Sequence, residues 1–282
     1  MLVLIMLVES AYGKSRVRLV QVARHGDRHD LSDLTIAIRF QGDYDESYAD
    51  GDNRNVLPTD TMKNTVYALA ARSGIQEPEA FALQLSRHFL DRNPELSEVR
   101  IDVSARSWSR VRANGREDSQ TFIGRGPDVR TVSVIGTPTV SMLSAGVADV
   151  LLMKTSRSAF TNFRRDEFTT LPDTTDRLFA TSLTATWQYL DSDIKFGLLW
   201  RSVQQILLDT FALHESESVQ HTMYAMGEAV LASVPDVASI HLVMPNKHHL
   251  PVDVSRFGLQ NKNEVFVATD EPYGLIEARI AR

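Results

Sequence analysis

From Val99 to Arg112 the chain alternates two kinds of side chain. Val99, Ile101, Val103, Ala105 and Val111 fall on one side of an extended backbone, and Arg100, Asp102, Arg106, Trp108, Arg110 and Arg112 on the other. Successive strand residues point to opposite faces, so this is a long strand buried on one face only. A parallel sheet covered on both faces would be apolar throughout; this pattern instead calls for an antiparallel sheet with its helices on one side. The fold class expected is therefore α+β. If such a sheet curls into a barrel, the arginines line a channel; if it stays open, they form solvated ion pairs.

The totals narrow the partners. A chain of 282 residues can bury a large core in one big domain or two ordinary ones. A formal net charge of -6 repels polyanions, which argues against nucleic acid and anionic membranes as partners and requires local arginines for any anionic ligand. With no cysteine there is neither a disulfide framework nor a thiolate nucleophile. The opening "MLVLIMLVES" is too short to span a bilayer and lacks a basic leader, so it reads as a strand and the cytoplasm as the default location.

Alternation predicts strands over 14–24 and 33–42, with a hairpin turn at Gly26-Asp27 before the second. Helices follow with Met62, Val66, Leu69 and Ala70 on one face and Phe81, Leu85 and Phe89 on the next. Further strands are expected over 99–112, 118–125 and 130–141. The order then repeats: strands over 146–156 and 177–190, helices over 195–212 and 217–233, strands over 237–244 and 264–280. The predicted inner faces of the later helices are Leu199, Val203, Ile206, Thr210 and Val219, Met223, Met226, Val230. Two units, 1–141 and 142–282, account for the repeated order.

Candidate chemistry is sparse. In "PNKHHLPVD", His248 and His249 are neighbours on an extended segment and face opposite ways, so they cannot share one metal ion. His25 and His29 in "RHGDRHD" flank the hairpin turn and read as ordinary surface residues. No metal site is expected. "IGRGPD" lacks the third glycine of a phosphate loop, and no GxSxG elbow is present. Thr59 or Asp60 in "NVLPTDTMKNT" stands where a helix begins, as a cap or as part of an anion-receiving helix end. Lys14 opens the first strand and is either solvated or, beside a hydroxyl, a base. Arg177 has aspartates as neighbours and is an obvious ion-pair partner. Gln220, beside Val219, falls in a first helical turn, and Phe160 is by composition a core residue or a stacking platform.

Taken together and in order, the segments "YGK", "TDTMKNT", "RRDEFTTL", "DRLFATSLTATWQY", "SVQHTMYAM", "PNKHHLPVD" and "NEVFVATDEPYGLIEA" resemble the urate oxidase (uricase) family over nearly the whole chain. The resemblance implies tandem tunnelling-fold units that close into a β-barrel on dimerisation, and a homotetramer. It implies cofactor-free oxidation of urate by molecular oxygen to 5-hydroxyisourate and hydrogen peroxide. Lys14, Thr59 and His248 would then handle protons, while Arg177 and Gln220 grip the purine edge and Phe160 stacks on its face. Asp60 and Val219 would give backbone contacts, Leu171 would shape the pocket and Asn246 would hold the oxygen or water site. Each pocket would be shared between chains, with Lys14, Thr59, Asn246 and His248 from one and Arg177, Gln220 and Phe160 from its neighbour. Two alternatives stand beside this: a metal-dependent pterin- or purine-ring hydrolase on the same fold, and a purine-binding oligomer without turnover.

Overall fold

The computed structural model describes residues 6–282, and it is α+β with antiparallel strands. Two compact units are present: the first runs to Ala145 and takes in Ser192–Gly197, and the second holds Gly146–Asp191 and Leu198–Arg282.

In the first unit, β1 (Tyr12–His25) and β2 (Arg28–Gly42) form the expected hairpin across Gly26-Asp27, where Gly26 supplies a φ of +63°. A short α1 (Asp45–Ala49) precedes α2 (Thr59–Ser73) and α3 (Pro78–Arg92). They are followed by β3 (Leu96–Ala113) and β4 (Arg116–Gly136), and the four strands pair in chain order. The alternation in β3 is realised in its first half, where Val99, Ile101 and Val103 are buried and Arg100 pairs with Asp102 at 2.9 Å on the open face; Ala105 and Val111 are only partly covered, beyond which the ladder to β4 is irregular. Met62, Val66, Leu69 and Ala70 of α2 and Phe81, Leu85 and Phe89 of α3 are all buried, and Phe89 meets Phe40 of β2 edge-on at 5.0 Å.

Two expectations are corrected here. The strand read into "MLVLIMLVES" is absent over residues 6–10, and residues 1–5 lie outside the described part. The first ladder pair is Tyr12 with Phe40, and β2 ends at Gly42, so residues before Tyr12 have almost no partner strand left. The strands expected at 118–125 and 130–141 merge into one strand, β4, which ends at Gly136, short of the expected bound. Its ladder to β3 jumps from Trp108–Gly124 to Arg106–Val129, so "RGPD" bows out of the pairing without ending the strand.

The second unit contains most of β5 (Ser141–Lys154), then β6 (Phe179–Tyr189), α4 (Phe196–Leu213) from Leu198 onward, α5 (Val219–Ser233), β7 (Val237–Pro251) and β8 (Phe266–Ala281). β7 lies between β6 and β8. The buried face of α5 is the predicted one, Val219, Met223, Met226 and Val230. That of α4 is turned: Trp200, Val203, Leu207 and Phe211 are buried, whereas Leu199, Ile206 and Thr210 are only partly covered. Arg201, Ser202, Gln205 and Asp209 share the exposed side of this helix, and the face opposite them is the buried one, so the expected face was set too far round the axis. On the buried face the Trp200 indole donates to the Gly146 carbonyl at 2.9 Å.

Candidate functional site

The predicted residues fall into two groups, one in each unit. Lys14, Thr59 and Asp60 belong to the first; Phe160, Leu171, Arg177, Val219, Gln220, Asn246 and His248 belong to the second. The expected partition put Asn246 and His248 with Lys14. The compact unit that holds them also holds Arg177.

In the first unit, Lys14 pairs with Ile38 at the edge of a β-bulge, because the next paired residue is Val17, opposite Ile36. Arg16 takes up the extra residue with φ +58°. Such a bulge re-aims the side chain beside it. Thr59 is the first residue of α2 and does not cap it; Pro58 occupies the N-cap. The first turn therefore presents backbone N–H groups and the Thr59 hydroxyl together. The Asp60 carboxylate is held by Lys63 at 2.5 Å and Asn64 at 2.8 Å. These two, with the Lys14 ammonium within Coulombic reach, lower its pKa from the ordinary carboxylate value. Lys14 thus lies within electrostatic reach of the start of α2.

In the second unit, residues 157–160 are clipped between two other segments. On one side, the Ala159 amide donates to the Ser216 carbonyl at 2.6 Å, two residues before the Ser218 that caps α5. On the other side, the Phe160 amide donates to the Thr174 carbonyl at 2.7 Å and the Arg177 amide to the Ser158 carbonyl at 2.8 Å. These bonds fix Phe160, Arg177 and the N-terminus of α5 relative to one another. Phe160 is not a core residue: it stacks on Phe163 at 4.8 Å with planes 10° apart, and the Arg177 guanidinium lies 5.2 Å from its ring centroid.

The ion pair expected of Arg177 is not made. Asp173 is taken by Arg165 at 3.2 Å, and Asp176 by the Ser156 hydroxyl at 2.8 Å. Among the described residues the buried Nε of Arg177 has no hydrogen-bond partner. Burial also lowers the guanidinium pKa, the sign of a cation with poor hydration. Leu171 is exposed, and its carbonyl accepts from Arg165 at 2.9 Å.

At the start of α5, Ser218 accepts the His221 amide at 3.1 Å through its hydroxyl and the Thr222 amide at 3.2 Å through its carbonyl. The amides of Val219 and Gln220 are therefore outside the intrahelical bonds. The 15 residues of α5 rise about 22 Å at about 1.5 Å each, and β7 covers that length in about seven residues. The helix runs back along β7 from the Val234–Val237 turn, so its N-terminus comes level with residues near Asn246.

There the strand changes character. Ile240, Leu242 and Met244 are fully buried, and Asn246 continues their face. Pro245 was expected to reset this alternation; it does not, since Met244–Ile276, Pro245–Leu275 and Asn246–Gly274 run in register. The irregularity comes one step later, where His248 pairs with Thr269 and the surplus residues belong to β8. Opposite Asn246 on β6 stands Thr181, fully buried, its hydroxyl without a partner among the described residues. Sequence reading missed Thr181. Its signal was a hydroxyl on a face otherwise made of Phe179, Leu183, Ala185 and Trp187. His248 and His249 both lie in β7, and His249 Nδ1 is 3.1 Å from the Lys247 carbonyl oxygen. Among the described residues no group of three or more His, Asp or Glu is arranged to hold a metal ion.

The family model described as Uricase matches residues 10–135 and 143–277. A uricase of Arthrobacter globiformis is 39% identical over 278 residues, covering 99% of this chain and 90% of that protein. One of Danio rerio is 34% identical over 284 residues, covering 98% and 94%. The crystal structure of the Arthrobacter globiformis uricase superposes with a TM-score of 0.95 at 39% identity, covering 99% of this chain and 96% of that one. A uricase structure from a Bacillus, at 21% identity and a TM-score of 0.84 over 96% and 93% of the two chains, shares the fold.

Proposed function

The chain belongs to the uricase family, and from that membership we propose that it oxidises urate with molecular oxygen and water to 5-hydroxyisourate and hydrogen peroxide, using no cofactor. It is an oxidoreductase, a urate oxidase. The observation that carries the assignment of its site is Arg177, a half-buried cation whose buried Nε has no hydrogen-bond partner among the described residues and whose guanidinium lies over the ring of Phe160. Urate is a flat, electron-rich anion with donors and acceptors on its edges. A guanidinium and the Gln220 amide orient such an edge, and an aromatic face fixes its plane.

Oxidation without a cofactor needs a substrate that gives up electrons readily, and loss of a second proton from urate produces one. Lys14 takes that proton and the Thr59 hydroxyl relays it, with His248 completing the path. Asp60 and Val219 add main-chain contacts at two helix starts, Leu171 shapes the pocket and Asn246 holds the oxygen or water above the ring. Electron transfer and recombination give a peroxide at ring carbon 5, which water displaces.

The site is completed by a second chain. Each chain carries two tunnelling-fold units, 1–141 and 142–282; two chains close a barrel and two barrels make a homotetramer. Lys14 and Thr59 come from one chain and Arg177, Gln220 and Phe160 from its neighbour. Neither nucleic acid nor membrane is a partner, and the enzyme works in the cytoplasm. No helix among the described residues is long and apolar enough to cross a membrane.

The test is to incubate purified protein with urate and a strong chelator while following urate absorbance and dissolved oxygen. Matched loss of both is expected. Turnover that stops with the chelator would favour a metal-dependent hydrolase, and binding without oxygen uptake a purine-binding oligomer.

A further inference from the structure

Lys14 and Thr59 are 45 residues apart in the chain, and the proton path proposed above requires them side by side. Two residues before Lys14 on β1 is Tyr12, and two residues before Thr59 is Leu57. The Leu57 amide donates to the Tyr12 hydroxyl oxygen at 3.0 Å. Pro58 has no N–H, so Leu57 carries the last backbone donor before Thr59. Upstream, the loop from Asp50 is tied to itself and to α1: Asp50 and Asp52 donate to the Glu46 carbonyl at 2.9 and 3.2 Å, and Val56 donates to Asn53 at 3.0 Å. The bond to Tyr12 is what fastens the end of this loop to β1.

The Tyr12 ring is itself fixed. It meets Phe40 edge-on at 5.8 Å and Tyr44 at 4.9 Å, with interplanar angles of 82° and 87°. Gly13, between Tyr12 and Lys14, has no room for a Cβ, which would run into the Ile38 carbonyl oxygen. The glycine lets β1 lie close against β2 where Tyr12 pairs with Phe40 and Lys14 with Ile38. Burial pushes the pKa of the Tyr12 hydroxyl upward, so it stays protonated and is no base.

We propose that Tyr12 is a positioning residue for turnover: its hydroxyl holds the loop that delivers Thr59 onto the strand that carries Lys14. A displacement of one ångström in such a pair is enough to cost on the order of a hundredfold in rate. The inference rests on the site reading given above.

The test is Tyr12→Phe, which removes one oxygen and keeps both ring contacts, assayed alone and in a Thr59→Ala background. Thermal melting is measured alongside. The expected result is a fall in kcat of about tenfold or more with KM within about twofold, and no further fall when Thr59 is already alanine. Unchanged kcat, whatever the melting temperature does, overturns the inference, as does a change confined to KM. An equal fall in both backgrounds also overturns it, because it marks a general loss of structure. If Thr59→Ala itself keeps full turnover, the site reading fails and the inference falls with it; if Thr59→Ala loses turnover and Tyr12→Phe does not, only the inference fails.

Discussion

The guanidinium of Arg177 lies 5.2 Å from the ring centroid of Phe160, and its buried Nε donates to nothing among the described residues. A buried donor left unpaired costs about 1–3 kcal/mol, more when it carries charge, and on the site proposed above an anionic purine edge recovers that cost on binding. Arg177→Gln keeps a donor but loses the charge and the fork. The expected outcome is a rise in KM, and in the dissociation constant of an unreactive purine analogue, of roughly tenfold to a hundredfold, from a loss of about 1.5–3 kcal/mol. Turnover at saturating urate should fall much less. Steady-state kinetics with calorimetric binding of the analogue checks this; a collapse of kcat with unchanged binding would remove Arg177 from the substrate site.

Lys14 and Thr59 should behave in the opposite way. On the function proposed above, both take and pass a proton and neither grips the ring. Thr59→Ala and Lys14→Met are expected to lower kcat by roughly a hundredfold to ten-thousandfold, the usual worth of positioned proton transfer. Analogue affinity should stay within about threefold. If either variant loses affinity and turnover in proportion, its role is binding.

The fold was legible wherever one face of an element differed from the other, and obscure where the difference vanished. Val99 to Arg112 declared a one-sided sheet because apolar and charged residues alternate there. The helix around Trp200 carried its polar residues Arg201, Ser202, Gln205 and Asp209 on one side, but the apolar runs 196–200 and 206–208 blurred which neighbouring face was innermost. Asp45–Ala49 is too short for any period to show. "RGPD" looks like the end of a strand and is a bulge within one, because only the partner strand decides that. At the site, Thr59 and Gln220 were visible as helix starts, but ordinary caps are visible in the same way. Phe160, Leu171 and Arg177 flank or lie in the irregular stretch between β5 and β6, where periodicity has nothing to say. What sets Arg177 apart is that Arg165 and Ser156 occupy its neighbouring carboxylates, a fact of three dimensions.

The allocation of Lys14 and Thr59 to one chain and Arg177 to another makes a sharp prediction for mixed oligomers. Lys14→Met and Arg177→Gln each spoil a different half of the pocket. When the two variants are denatured together and refolded, some pockets should combine an intact Lys14 from one chain with an intact Arg177 from the other. Activity is expected to rise severalfold above that of either variant refolded alone. No recovery, with mixed oligomers shown by native mass spectrometry, would place the whole site within a single chain.

His214 gives the enzyme a pH dependence of stability that can be read without substrate. Its Nδ1 lies 3.2 Å from the Thr222 hydroxyl of α5, and its ring packs against His221 with centroids 4.4 Å apart. The Lys154 ammonium donates to its carbonyl oxygen, and Glu215 is adjacent in sequence. Burial first, then His221 and Lys154, lowers its pKa in the folded state, with Glu215 opposing. In the unfolded chain the group returns to the ordinary histidine value of about 6.5. Between the depressed folded value and about 6.5 the unfolded state therefore binds more protons, so stability rises with pH across that window. The contribution is fully present above about pH 6.5 and is lost as the pH falls through the folded value. His214→Asn keeps an acceptor for Thr222 and cannot titrate. The expected result is a shallower dependence of the denaturation midpoint on pH below about 6.5 than in the parent protein, with the two curves parallel above it. Parallel curves throughout would show that His214 titrates alike in the folded and unfolded chains.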